Sequence, residues 1–246
     1  HSIAFRATKA QCLDLPPTTD IIRYIELEPR AMSIYRSLVK DSFAELGKSE
    51  VTVTNVLTKL LRLSQLTGGF IGNDEGSVCQ QVSKAKLEAL EDIVDNAVQS
   101  GEKIVVIARF SAEIKAIKKQ LEKKYILYSQ VSGEVKDREA QIHSFQNNPE
   151  TLVFIGQIAT AGLGITLTAA STMVFYSLDY SMSNFEQTKA RIHRTGQQKN
   201  CTYIYLVAKN TVDEKVLNSL QNKADLAKAL VNDYKNGKNP YDMGGF

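Results

Sequence analysis

The chain has 246 residues, 43 % of them hydrophobic, and 30 Lys+Arg against 27 Asp+Glu leave a formal net charge of +3. This balance excludes a generally basic nucleic-acid-binding protein, so any affinity for DNA or RNA has to come from a local patch. No apolar run approaches the ~18–20 residues of a membrane-spanning helix, and Cys12, Cys79 and Cys201 form no CxxC pair, as expected of reduced thiols.

In chain order, His1-Ser2 without a Met reads as the start of a cut-out piece or a tag remnant. "DLPPTTDIIRYIELEP" is extended and punctuated by Pro16, Pro17 and Pro29. "RAMSIYRSLVKDSFAEL" and "TVTNVLTKLLRLSQL" carry helical patterns. "GGFIGNDEGS" (Gly68 to Ser77) reads as a loop and a hinge. Residues 1–80 are therefore expected to form a linker and helical appendage.

From Lys84 onward, apolar runs alternate with helical stretches. The runs are "IVVIA" (104–108), "YILY" (125–128), "TLVFI" (151–155), "TMVFY" (172–176) and "TYIYLV" (202–207). They are short, continuous and rich in β-branched and aromatic residues, as in strands buried on both faces. Helix starts are marked by Ser83, Ser111 and Asp137, and by capping-box spacing at Ser183/Glu186 and Thr211/Glu214. This rhythm predicts an α/β lobe over residues 81–235, a doubly wound parallel sheet with helices on both faces. Residues 236–246 read as a frayed polar tail.

Four stretches of this lobe could carry chemistry. In "EQTKARIHRTGQ" (186–197), a helix would place Gln187, Arg191 and Arg194 at i, i+4 and i+7, on one face, with Gly196 as its C-terminal stop. Two guanidiniums on one stripe repel unless an anion lies against them, and arginine's fork of donors matches phosphate oxygens. A phosphate clamp and a solvated, salt-bridged helix face are both compatible with that spacing. "ATAGLGITLTAA" (159–170) is a Gly-rich loop after a parallel strand, where backbone can approach a ligand at the carboxyl edge of the sheet. "VIARFSAEIKAI" ends a strand in Arg109-Phe110-Ser111 and enters a helix, which suits either a nucleic-acid phosphate or an ordinary capped helix. "SGEVKDREAQIHSF" places Gly133, Lys136 and Arg138 in a turn before a helix.

Other candidates fail. Gly47-Lys48-Ser49 has the ending of a P-loop, but position 42, where the loop needs Gly, is Ser, and the preceding segment is helical in pattern. His143 and His193 have no partner at metal-ligand spacing, so no metal site is expected.

In this order the four stretches resemble the second RecA-like lobe of superfamily-two helicases, most closely the Swi/Snf family of DNA-dependent ATPases. "VVIARFSAEIKAI" is similar to motif IV, "SGEVKDREAQIHSF" to the motif that follows it, "IGQIATAGLGITLTAAS" to motif V and "EQTKARIHRTGQ" to motif VI. The motif VI pattern is the most specific, and Gln187, Arg191, His193, Arg194, Gly196 and Gln197 all match it. The segment "FRATKAQCLDLPP" through "LLRLSQLTGG" is similar to the family's stretch joining the two lobes. Ala190 stands where the family usually has Asp, Tyr180-Ser181-Met182 where it has Trp-Asn-Pro, and motif V lacks the commoner double Gly. These departures point to bacterial, phage or annealing-helicase-like relatives.

The resemblance implies a RecA-like fold and a role as the C-terminal half of a double-stranded DNA translocase. Arg191 and Arg194 would be arginine fingers, Gly162, Leu163, Gly164 and Gln187 would line the ATP cleft, and Arg109, Phe110, Arg138 and Thr160 would face the DNA backbone without reading sequence. The chain has neither a P-loop nor an Asp-Glu-x-His-type magnesium motif. By the resemblance these belong to the first RecA-like lobe of the same protein, so ATP and Mg2+ are expected in the full-length enzyme and no cofactor, nor turnover, in this chain alone. A monomer in the cytoplasm of a bacterial or phage-infected cell, without membrane contact, completes the expectation. The rival is a non-catalytic α/β module binding a phospholigand or nucleic acid; it leaves the ordered motif V and motif VI pair unexplained. A strand-separating or restriction-type superfamily-two enzyme is the second rival, and the "HRTGQ" ending favours the Swi/Snf type.

Overall fold

In the computed structural model, residues 15–46, 52–72, 79–158 and 164–242 are described. The P-loop decoy Gly47-Lys48-Ser49 and Cys12 lie outside them. The principal sheet contains β1 (Thr18–Ile25), β4 (Ile104–Ala108), β5 (Tyr128–Val131), β6 (Val153–Gln157), β7 (Thr172–Phe175) and β8 (Cys201–Ala208), in the order β1-β8-β7-β4-β6-β5 with every pairing parallel. The helices are α1 (Pro29–Leu46), α2 (Val53–Thr67), α3 (Ala85–Gln99), α4 (Ser111–Lys123), α5 (Arg138–Asn147), α6 (Met182–Lys189), α7 (Val212–Gln221) and α8 (Leu226–Lys235). A small antiparallel pair, β2 (Phe70–Gly72) and β3 (Cys79–Gln81), lies between α2 and α3.

The continuous apolar runs do what their composition requires. Successive side chains of a strand point to opposite faces. Val105 and Ile107 of β4, Phe154 of β6 and Met173 and Phe175 of β7 enter one core, with Tyr35 of α1, Leu60 of α2, Phe145 of α5 and Leu220 of α7. Ile104, Val106 and Ala108, Val153 and Ile155, and Val174 enter the other, under Leu90 of α3 and Ile117 of α4. This is the doubly wound α/β sheet with helices on both faces that the strand–helix rhythm predicts. Fully burying each large side chain contributes about 1.5–3 kcal/mol.

The N-terminal region departs from its expected role. β1 is an edge strand of the principal sheet, paired from Thr18↔Cys201 to Ile25↔Ala208, and the Tyr35 hydroxyl accepts the Val212 N–H at 2.8 Å. The sheet thus draws strands from both sides of residue 80. The pairing joins segments more than 170 residues apart, which no local pattern reveals. The tail differs too. Tyr241 is buried and its hydroxyl donates to the Val56 carbonyl of α2 at 3.0 Å, so the chain stays packed well past residue 236.

Three local boundaries move for identifiable reasons. Tyr125 is in the left-handed region (φ 56°) and closes the turn after α4, so β5 begins at Tyr128 rather than 125. α4 is capped by Glu113, whose carboxylate accepts the Arg109 and Phe110 N–H groups, with Ser111 already inside the helix. α6 is capped by Ser181, which accepts the Asn184 N–H, rather than by Ser183.

A buried ion pair fastens the layers. Lys86 of α3 donates to Asp213 of α7 at 2.6 Å and to the Tyr176 carbonyl at 3.2 Å. Asp213 also accepts the Ala208 N–H at 3.1 Å and the Thr67 hydroxyl at 2.6 Å. Such a pair repays its desolvation only when further hydrogen bonds surround it, as they do here.

Candidate functional site

In a parallel sheet the loops after the strands gather at the carboxyl edge, and the stretches that follow β4, β5 and β6 start there, while the motif after α6 runs back toward the start of β8. The "EQTKARIHRTGQ" stretch is not one helix. α6 ends at Lys189, Ala190 is its C-cap, and residues 191–196 form turns. The carbonyls a longer helix would use are taken. Arg191 O accepts the Leu167 N–H at 2.9 Å, and Ile192 O accepts Gln197 Nε2 at 3.0 Å. Gly196, at φ 98°, completes the reversal in a conformation that favours glycine. The predicted i, i+4, i+7 stripe therefore breaks: Gln187 stays on the exposed part of α6, bonded to Ser183 Oγ at 3.0 Å, while Arg191 and Arg194 sit on the turn.

The turn is bound to the loop that follows β6. Arg194 Nη1 lies 3.4 Å from the carbonyls of Gly164 and Ile165. Gln197, nearly buried, donates to Ala170 O at 2.9 Å and accepts the N–H groups of Gln198 and Lys199 at 3.0 and 2.9 Å. His193 Nε2 meets the Pro16 carbonyl at 2.8 Å, which ties the turn to the chain entering β1. Gly164, at φ 72°, is the described end of the predicted Gly-rich loop; Thr160, Gly162 and Leu163 lie outside the described residues.

Arg191 carries an unsatisfied group on this turn. It borders a crevice with Gln157, Ile165 and Leu167, and its buried Nε has no acceptor among the described residues. Burial, and then the charge of Arg194 beside it, hold its guanidinium below the usual arginine range. A buried donor without an acceptor costs about 1–3 kcal/mol. Two cations that repel each other, one with a buried donor lacking an acceptor among the described residues, form a site that an anion stabilises.

The β4 exit is built differently. The Arg109 side chain is 14 % exposed, with Nη2 3.6 Å from Asp179 Oδ1, and its guanidinium stacks 4.7 Å from the Tyr180 ring and 5.3 Å from the Phe110 ring. Its Nη1 is buried without a partner among the described residues. Arg109 and Phe110, read from the sequence as facing outward to a nucleic-acid backbone, are thus half-buried against the loop that leads to α6. Arg138 opens α5 and is half-buried, with no side-chain partner among the described residues.

Three connecting residues escaped the motif reading. Gln157 accepts the Gly133 N–H at 3.2 Å and donates to the Arg109 carbonyl at 3.3 Å, stitching the exits of β4, β5 and β6. Glu113 and Ser177 join the exits of β4 and β7 through a 2.6 Å hydrogen bond. The available signal was a polar residue closing an apolar strand, as in "VFIGQ" and "TMVFYS".

Residues 85–196 match the family model of the helicase conserved C-terminal domain. An uncharacterized ATP-dependent helicase of Mycoplasma pneumoniae is 30 % identical over 93 % of this chain. The structure of the Sulfolobus solfataricus SWI2/SNF2 ATPase core in complex with dsDNA superposes with TM-score 0.68 and 25 % identity, over 88 % of this chain and 46 % of that one. The crystal structure of the C-terminal part of the Fun30 ATPase domain, 16 % identical, matches with TM-score 0.69 over 91 % of this chain and 99 % of that one, a likeness of fold. The chain spans 22 % of the Mycoplasma protein and 25 % of a Saccharomyces cerevisiae DNA repair and recombination protein that it also matches. With motifs V and VI bonded to each other, the chain has a RecA-like α/β fold in which residues 85–196 are similar to the helicase conserved C-terminal domain and the whole to SWI2/SNF2 ATPase cores.

Proposed function

We propose that this domain is the C-terminal half of a DNA-dependent ATPase that translocates on double-stranded DNA, and that Arg191 and Arg194 are its arginine fingers. The observation that carries the reading is the buried, acceptor-less Nε of Arg191 next to the charge of Arg194. A phosphate oxygen of ATP supplies the missing acceptor, and charge developing on the transferred phosphoryl group is what such arginines stabilise. By the motif resemblance, Gly162, Leu163, Gly164 and Gln187 contribute to the same ATP site. The P-loop and the magnesium ligands come from a first RecA-like lobe of the same protein, since this chain contains neither motif. The chain alone then neither hydrolyses ATP nor translocates.

Double-stranded DNA is the second ligand, held through its phosphates and not by base sequence. Arg138 and Thr160 contact the backbone directly, Phe110 packs beside it, and Arg109 contacts it by exchanging Asp179 for a phosphate. The 30 % identity to a bacterial helicase supports a bacterial-type enzyme; it acts as a cytoplasmic monomer.

The test is ATP hydrolysis by the full-length protein, with and without double-stranded DNA, for wild type and Arg194→Ala. A loss of DNA-stimulated turnover of ~10³-fold with ATP binding kept is expected. Turnover that survives the substitution overturns the arginine-finger reading and leaves a non-catalytic phospholigand module.

A further inference from the structure

Glu113 is wholly buried, yet it stands at the third position of α4, where a capping-box glutamate normally meets solvent. One carboxylate oxygen, Oε2, takes three donors: the Ser177 hydroxyl at 2.6 Å and the Arg109 and Phe110 N–H groups at 3.1 Å each. The Arg109 N–H also reaches Ser177 Oγ at 2.8 Å. The other oxygen, Oε1, has no partner among the described residues and faces Gly68, the C-cap of α2, where an added Cβ would lie 2.0 Å away. The Gly68 carbonyl accepts the Tyr176 hydroxyl at 2.9 Å, from the residue before Ser177. Three separate segments therefore close on one carboxyl group: the end of α2, the exit of β4 and the exit of β7. Burial pushes that carboxyl up to about 7, against the pull of Ser177, the two backbone N–H groups and Lys86.

We propose that Glu113 is a positioning residue, whose carboxyl fixes the Arg109–Phe110 loop in the place from which that loop meets DNA, by fastening it to Ser177 and bracing it against Gly68. The proposal rests on the DNA-contacting role given to this loop above. The carboxyl cannot swing away from Gly68 without depriving the Phe110 N–H of its acceptor and leaving the Arg109 N–H to Ser177 alone, so the α2 end and the loop hold one geometry together.

The experiment measures DNA-stimulated ATP hydrolysis by the full-length protein against the concentration of double-stranded DNA, for wild type, Arg109→Ala, Glu113→Gln, Glu113→Ala, Ser177→Ala and Gly68→Ala. Glu113→Gln still offers an oxygen to the three donors and keeps the half-saturating DNA concentration within ~2-fold. Glu113→Ala raises it by ~10-fold while turnover at saturating DNA stays within ~2-fold, a split that general loss of folding does not produce. Gly68→Ala raises it as well, and adds little on top of Glu113→Ala, because the group it would strike is gone. If Arg109→Ala weakens DNA dependence while the Glu113→Ala, Ser177→Ala and Gly68→Ala proteins match wild type, the positioning role is overturned and the functional reading stands. If Arg109→Ala itself matches wild type, the DNA-contacting role of the loop fails. Should Glu113→Ala not fold, Ser177→Ala and Gly68→Ala decide alone: unchanged DNA dependence in both overturns the proposal.

Discussion

Two groups of charge serve this domain on opposite terms. Lys86 and Asp213 are closed in on each other and on Tyr176, Ala208 and Thr67, with the Lys86 side chain 1 % exposed. Arg191 and Arg194 are cations placed side by side, one with a buried donor and no acceptor. The first pair spends its charge inside the protein and holds α3, α7 and the ends of β7 and β8 together. The second leaves its charge unspent, and the fold bears that cost because the Gln197 and Leu167 hydrogen bonds over-determine the turn. A charge satisfied within the chain belongs to stability; a charge the chain holds unsatisfied is available to a ligand.

Substitutions can break this contrast. The largest effect is expected from Arg194→Ala: a ~10³-fold loss of turnover in the full-length protein with stability moved by less than about 0.5 kcal/mol, read by ATPase assay and denaturant titration. Lys86→Ala should do the reverse. It strands a buried carboxylate and costs about 3–5 kcal/mol, seen as a fall in the denaturant midpoint. If Lys86→Ala unfolded no more easily than Arg194→Ala, the two clusters would not differ as described.

Glu113 sharpens the comparison through pH. Below its ordinary value of 4.5 the carboxyl is protonated in folded and unfolded chains alike; between 4.5 and about 7 only the unfolded chain ionises. Wild type should therefore lose stability relative to Glu113→Gln as pH rises through that window, by roughly 3 kcal/mol in all, and run parallel to it above. Lys86 is the charge that faces this carboxyl, and burial raises the nearby Cys79 thiol and Tyr176 hydroxyl above their ordinary values. A difference that does not change with pH would mean that Glu113 is ionised throughout. The smallest effect is that of Gly196→Ala, which places a Cβ at φ 98° and should cost about 1 kcal/mol with Arg191 and Arg194 still in the fold; thermal unfolding measures it.

Much of this architecture was legible in residue order. Continuous runs such as "IVVIA" identify strands buried on both faces, because no solvent face is left for polar residues. Arg191, Arg194 and Gly164 were legible as a phosphate-suited group, and the structure brings Arg194 and Gly164 together. Gln187 was misplaced on their stripe, since helix periodicity assumes a helix that the Leu167 and Gln197 contacts end at Lys189. Glu113 was not singled out, because the helix start was read at Ser111.

What the sequence determined by itself is therefore local and periodic: which segments are strands, which are helices, and which residue types can meet a phosphate. Only the tertiary structure decided that β1 closes the edge of the sheet beside β8, that Arg109 turns inward to Asp179 and Tyr180, and that Glu113 is buried under Gly68. The reason is physical. Periodicity records which side of a segment faces the core, but pairing, burial and the loss of a hydrogen-bond partner depend on groups tens to hundreds of residues away.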